Sequence, residues 1–202
     1  MNSNKITGIN SSGEGFIEID VRGPKSYTLY STVDGIRSNQ ISATQRVSAY
    51  YQNLFHCTAY IVALESDYTG AKVTASGITD AKFKSDFLAA VRMNGTGKAD
   101  SGKYIRWNGS GYSYIDKPTT ATGTEATAGR TIAVESYYIP MAKVGGRWKR
   151  ATVNISGIGN RVAEDVRGRI VGYKIDIFMG LGKNTIKTWN NVDKTVRLIS
   201  VN

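Results

Sequence analysis

The chain has 202 residues, 41% of them apolar and 10% aromatic, which allows one sizeable domain with a hydrophobic core and excludes a disordered chain. The formal net charge of +10 points to an anionic partner or surface, whereas a single cysteine and a single histidine exclude an internal disulfide and a thiol or imidazole metal cage. No apolar run approaches the roughly 20 residues needed to cross a bilayer, and the opening residues are polar, with no apolar core of a signal peptide.

The glycine and tyrosine content (22 and 12 residues), the 3 prolines and the short alternating runs predict a mainly β protein with few, short helices. Residues 16–21 alternate apolar and acidic side chains, as a half-buried strand does, and end at Arg22, Gly23 and Pro24. Residues 27–32 read as its partner, Asp34-Gly35 as a turn, and residues 36–42 as a third strand. Residues 1–52 are therefore expected to form an N-terminal β element for docking, ahead of a main domain at 53–202. Val47, Tyr50, Tyr51, Leu54 and Phe55 recur at helical spacing, predicting a short helix or a bent strand before Phe55. Asp80 is placed to cap a helix over 81–93, whose Phe83, Phe87, Leu88 and Val91 share one face. Between about 94 and 130 the composition shifts to Gly, Ser and Thr. This polar insertion is interrupted by a predicted hairpin of 104–107 with 112–115, then runs on as a loop over 118–129. Further strands are expected at 131–135, 151–155, 161–165, 174–178 and 195–201, with a short helix at 184–189. The basic residues are spread out, and the only dense patch is Lys143, Arg147, Lys149 and Arg150 around Trp148, which disfavours nucleic acid as the partner.

The chemistry-bearing stretch is 162–178, in which two strand-like segments each run into an aspartate and are separated by a glycine-punctuated turn. Asp176 lies between Ile175 and Ile177, so in a strand its carboxylate faces away from both, toward solvent or a cleft. Partly buried there, it would have its pKa raised, hold a proton near neutral pH and act as an acid.

Ala163, Asp165, Gly168, Ile170, Gly172, Ile175 and Asp176 fill, in register, the pattern A-x-D-x-x-G-x-I-x-G-x-x-I-D. Upstream, Ala133, Val134 and Glu135 followed by Ile139 and Pro140 match a second block, and Thr58-Ala59-Tyr60 and Thr74-Ala75-Ser76-Gly77 match two more. In this order the four blocks resemble the three-aspartate (3D) domain of the lytic transglycosylases. The resemblance spans about 57 to 201 and implies a six-stranded double-psi β-barrel with a substrate groove on one side. It departs from the family at Glu135, where aspartate is usual, at Arg167, where the family has the first of two glycines, and at Arg169 and Val171. If Glu135 is catalytic, its extra methylene matters, since misplacing a group by about an ångström costs on the order of a hundredfold in rate.

By resemblance the chain is expected to cleave peptidoglycan glycan strands between N-acetylmuramic acid and N-acetylglucosamine without water, leaving a 1,6-anhydro ring. One carboxyl then serves as acid and base, and the resemblance assigns this to Asp176, with Asp165 and Glu135 as further catalytic carboxylates. Tyr60, Thr74 and Arg169 are the expected substrate-binding residues, and no cofactor or metal is implied. The polar N-terminus led by Met1 suggests delivery to the wall on a phage tail or related injection particle, through residues 1–52. The alternatives are a catalytically inactive tail-tip or hub protein that binds wall glycan, and a nucleic-acid-binding module. Trp107, Trp148 and Trp189 are candidates for stacking on sugars, although tryptophan in a β domain more often packs in the core. His56 and Cys57 are neighbours in a strand and so point apart, which excludes a Cys-His nucleophile. The run from Gly180 to Thr185 lacks the glycine spacing of a phosphate loop.

Overall fold

The computed structural model describes residues 52–202 in full and, of the N-terminal part, only the backbone of four short strands. Residues 1–46 and 47–202 form two compact units. In the first, β1 (Ser26–Leu29) pairs antiparallel with β4 (Ile41–Thr44), and β2 (Thr32–Val33) with β3 (Ile36–Arg37). The pairing of Val33 with Ile36 fits the turn read at residues 34–35, but the single strand expected over 36–42 is two strands with different partners. The strand expected at 16–21 and the helix or bend expected at 47–51 lie outside the described residues.

The second unit is organised around β5 (Gln52–Leu64), a 13-residue strand that starts before Phe55. Its neighbours are β15 (Lys174–Leu181) on one side and β16 (Val192–Val201) on the other. From β15 the pairing continues through β11 (Thr131–Val134), β14 (Gly159–Asp165) and β13 (Arg147–Ile155), and β13 returns to β16. Six strands thus pair in a closed ring with two parallel contacts, β5 with β15 and β11 with β14. Alternation explains the interior: Ile132 and Val134, Ile175 and Ile177, Val153 and Ile155, and Phe55 and Cys57 each skip one residue and meet in one buried cluster. Each such side chain stabilises the fold by about 1.5–3 kcal/mol through burial. The intervening residues, Asp176 among them, face outward.

A second layer packs beside the ring. It contains the hairpin of β6 (Lys72–Ala75) and β7 (Ile78–Lys84), helix α1 (Ser85–Asn94), and a meander of β8 (Thr96–Lys98), β9 (Tyr104–Trp107) and β10 (Tyr112–Ile115). Phe83, Phe87, Val91, Ile105 and Tyr112 form its core, and β8 joins it to β5 by parallel pairing at Ala63 and Leu64. The segment 94–130 is therefore less an insertion than a structural layer, polar only in its loops. The helix expected over 81–93 begins at Ser85, because residues 78–84 are drawn into pairing with β6, Val73 opposite Phe83 and Lys72 opposite Lys84. Asp80 caps nothing and instead accepts the Tyr114 hydroxyl at 3.1 Å. Asp86 ties down the helix start, taking the backbone N–H groups of Thr69 and Gly70 at 3.0 and 2.9 Å.

Two further features belong to β13 and β14. The basic patch around Trp148 is a hairpin, β12 (Met141–Val144) with β13, turned by Gly145 and Gly146 at positive φ. Along β14 the register against β11 slips by one residue: Ile132 faces Ala163, but Ala133 faces Asp165. This bulge leaves Glu164 as the extra residue, and a bulge re-aims the side chains that follow it. Glu164 is fully buried, held by Arg130 Nε at 3.0 Å, Arg150 Nη1 at 2.9 Å and the Thr131 hydroxyl at 2.7 Å.

Candidate active site

A groove of about 830 Å³ runs between the outer face of the ring and the end of α1. Its floor is made where β14, β11, β15 and β5 lie side by side. Ala133 at the centre pairs with Asp165 on one side and Asp176 on the other, and Asp176 pairs in turn with Thr58. Directly paired residues share a face, so the two carboxylates flank Ala133, which is itself fully buried in a cluster with Tyr60 and Phe178. Asp165 reaches this face only because of the bulge. In unbroken alternation it would follow Ala163, two residues earlier, into the ring interior.

Asp176 is 7% exposed. Thr58 Oγ1 donates to its Oδ1 at 2.7 Å, and Arg167 Nε stands 3.4 Å from Oδ2. Burial pushes its pKa above the usual carboxylate range; the Thr58 hydrogen bond and the charges of Arg167 and Lys174 oppose this, and Asp165 adds to it. Asp165 accepts the Tyr60 hydroxyl at 3.2 Å and the backbone N–H of Ala121 at 2.9 Å. Tyr60 is buried, and burial together with the neighbouring Asp165 charge drives its phenol far above the normal value, so it stays a donor at every working pH. Thr58 has a second acceptor, the carbonyl of Ile175 at 3.3 Å. A hydroxyl has one proton to give, so Thr58 can serve the ionised Asp176 and turn to that carbonyl when Asp176 carries a proton of its own.

The other expected site residues divide. Tyr60 and Arg169 line the groove, Arg169 with its side chain exposed. Thr74 is not brought there: it is exposed on the β6–β7 hairpin opposite Lys82. The block that contains it serves packing, since Gly77 turns at φ +91° and Ser76 accepts the N–H of Tyr112 at 2.7 Å. Nor does Glu135 line the groove. Its carboxylate accepts the N–H of Gly172, and so anchors the loop between β14 and β15. Of the three tryptophans only Trp107 borders the groove, and its ring is already engaged by Arg92 at 5.0 Å and edge-on by Tyr112 at 4.9 Å. Trp148 and Trp189 pack against the ring core. His56 bonds Asp193 at 2.8 Å on the outside while Cys57 is buried, pointing apart as adjacent strand residues must.

Arg167 was legible only as a departure from a glycine pair. Its guanidinium lies over the Tyr60 ring at 4.4 Å, donates to the carbonyls of Met93 and Asn94 at 2.9 and 3.0 Å, and faces Asp176. Arg92, Arg106, Arg169 and Lys174 add positive charge to the same walls, so cations outnumber the two aspartates there. Among the described residues no cluster of three or more metal-ligating side chains occurs.

The fold is that of the MltA-type lytic transglycosylases. It is similar to MltA of E. coli solved with bound chitohexaose, at a TM-score of 0.52 and 13% identity over 73% of this chain and 72% of that one. It is also similar to the membrane-bound lytic murein transglycosylase from Agrobacterium tumefaciens, at a TM-score of 0.50 and 12% identity over 77% and 75% of the two chains. No family model matches the sequence, and no curated protein matches it.

Proposed function

We propose that this chain is a peptidoglycan-cleaving lytic transglycosylase of the three-aspartate type, with the six-stranded ring as its double-psi β-barrel and Asp176 as its acid and base. The observation that carries the proposal is a carboxyl buried at the floor of a sugar-sized groove, poised to hold a proton, in a fold shared with enzymes of that activity. Protonated Asp176 gives its proton to the glycosidic oxygen as the bond to C1 of N-acetylmuramic acid breaks. The resulting carboxylate is steadied by Thr58 and Arg167 and then takes the proton of the C6 hydroxyl as that oxygen closes on C1. No water is consumed, and the product ends in 1,6-anhydro-N-acetylmuramic acid. Asp165, fixed by Tyr60 and Ala121, supplies negative charge opposite the developing oxocarbenium ion.

The test is digestion of purified sacculi by the full chain and by Asp176→Asn, with products separated and weighed by mass spectrometry. Anhydro-muropeptides are expected from the wild type and not from the variant, with both proteins equally folded by circular dichroism. Reducing-end products, or equal turnover by Asp176→Asn, would overturn the proposal. A second reading, a glycan-binding structural protein without turnover, draws on Glu135, whose carboxylate is committed to Gly172. Sacculus binding without any product would establish it. Delivery on a phage tail or injection particle belongs to the same proposal, with docking assigned to the N-terminal element, residues 1–52. Removing that element is expected to spare turnover.

A further inference from the structure

We infer that Arg167 is a positioning residue shared between Asp176 and the C-terminus of α1, and that the helix end holds the guanidinium at a distance that lets Asp176 carry its proton reversibly. The inference rests on the proposed role of Asp176 only for its catalytic readout.

Four independent contacts define the arrangement. Nη1 and Nη2 are taken by the carbonyls of Asn94 and Met93 at 3.0 and 2.9 Å, two of the groups that a helix end leaves without intrahelical partners. The helix ends at Gly95, which turns at φ +87°, so the chain leaves these carbonyls facing the groove. The flat face of the guanidinium lies 4.4 Å over the Tyr60 ring, which fixes its plane. Nε is the atom turned to Asp176, 3.4 Å from its Oδ2. A relaxed arginine–carboxylate pair closes to about 2.7–2.9 Å and is often bidentate, and such a pair holds a carboxyl ionised. Here the partial negative charge of the helix end competes for the same cation, and no bidentate geometry with Asp176 forms. The arginine is near enough to stabilise Asp176 as an anion, but it does so less than a closed bidentate pair would, and burial opposes it.

The placement also explains the departure from the glycine pair: a glycine at 167 would give neither the cation nor the bridge from the ring to α1. The other charged or titratable groups that bear on Asp176 are Lys174 on its own strand, Asp165 on β14 and Tyr60 on β5, with the Thr58 hydroxyl beside it, and Arg92 on α1, Arg106 and Arg169 line the same groove. Of these, Arg167 is the one whose contacts link the helix-end carbonyls to the acid.

Two variants of the full chain separate charge from tether. Arg167→Gln removes the charge but keeps a side-chain amide able to bond a helix carbonyl; Arg167→Lys keeps the charge but cannot span both carbonyls and Asp176. Carbon-13 NMR of the aspartate carboxyls, with Asp176→Asn to assign the signal, reads the titration without reference to activity. For Arg167→Gln the Asp176 midpoint is expected to rise by about one pH unit, and the alkaline limb of kcat/KM, which requires protonated Asp176, to move up with it. For Arg167→Lys the midpoint is expected to fall, as an ammonium released from the helix approaches the carboxylate, and amide exchange at the last turn of α1 to speed up about tenfold or more. An Asp176 midpoint that stays within about 0.2 units of wild type in both variants would overturn the inference. A shifted midpoint in a chain that releases no anhydro-muropeptide would uphold it and sink the proposed activity instead.

Discussion

Replacing Glu164 by alanine tests how the second carboxylate is aimed. Three donors lose their acceptor: the Arg130 and Arg150 guanidinium groups and the Thr131 hydroxyl, at 3.0, 2.9 and 2.7 Å. The arginines keep side-chain exposures of 44% and 33% and recover most of their bonding from water, whereas Thr131 is fully buried and cannot. Hydrogen bonds to a charged group contribute about 1.5–3 kcal/mol each, and a stranded buried donor costs about 1–3 kcal/mol. Discounting the two exposed partners leaves a loss of about 3 kcal/mol, at the lower end for a buried ion pair deprived of one member. Urea unfolding followed by tryptophan fluorescence should show the midpoint falling by about 1–2 M at unchanged slope. Thr131→Val in the same background should recover little, since the hydroxyl oxygen also accepts the Thr127 N–H at 3.0 Å and its removal strands that donor. A loss below about 1 kcal/mol for Glu164→Ala would refute the view that this network pins the bulge.

Burial raises the Asp176 pKa in the folded chain, so between the unfolded value and the folded one the native state binds the extra proton, and stability is lost as pH rises through that window. Asp176→Asn, which never ionises, should therefore melt higher than wild type at pH 7, with the advantage gone below about pH 4; thermal melts across pH check this, and a constant difference would count against it. Gly77→Ala should cost more than about 1 kcal/mol, because the residue sits at φ +91° and a Cβ would clash with the Tyr112 carbonyl oxygen; urea unfolding reads it. Burial pushes the Cys57 thiol up to about 11, with Lys194 opposing and Asp193 adding, so alkylation by iodoacetamide at pH 8 should be slow in the native chain and fast in urea. Native reactivity equal to that of the unfolded chain would contradict its burial.

Strand alternation made much of the floor legible. Asp176 between two isoleucines, Tyr60 two residues after Thr58, and the hairpin of β9 and β10 all follow from period-two patterns that the fold keeps. The β7–α1 boundary did not, because Phe83 and Phe87 sit four residues apart and satisfy a helix face, while the pairing of β7 with β6 is a tertiary event. The bulge at Glu164 has no local signature: Ala163, Glu164 and Asp165 read as ordinary alternation, and only the register against β11 shows that Asp165 turns to the groove instead of following Ala163 inward. Thr74 and Glu135 matched motif positions, yet one is an exposed strand residue of a packing hairpin and the other anchors a loop. Arg167 stood out as a misfit, and its partners, two carbonyls some seventy residues away, are invisible in one dimension.

The pairing of β5 with β16 also bears on how the chain comes to be folded at all. His56 and Asp193, neighbours in that ladder, are 137 positions apart. During synthesis the apolar row of β5 leaves the ribosome long before the strand that will cover its open edge. The nascent chain must carry that sticky seam unsealed until residues 192–197 have been made, and closure of the ring waits on them.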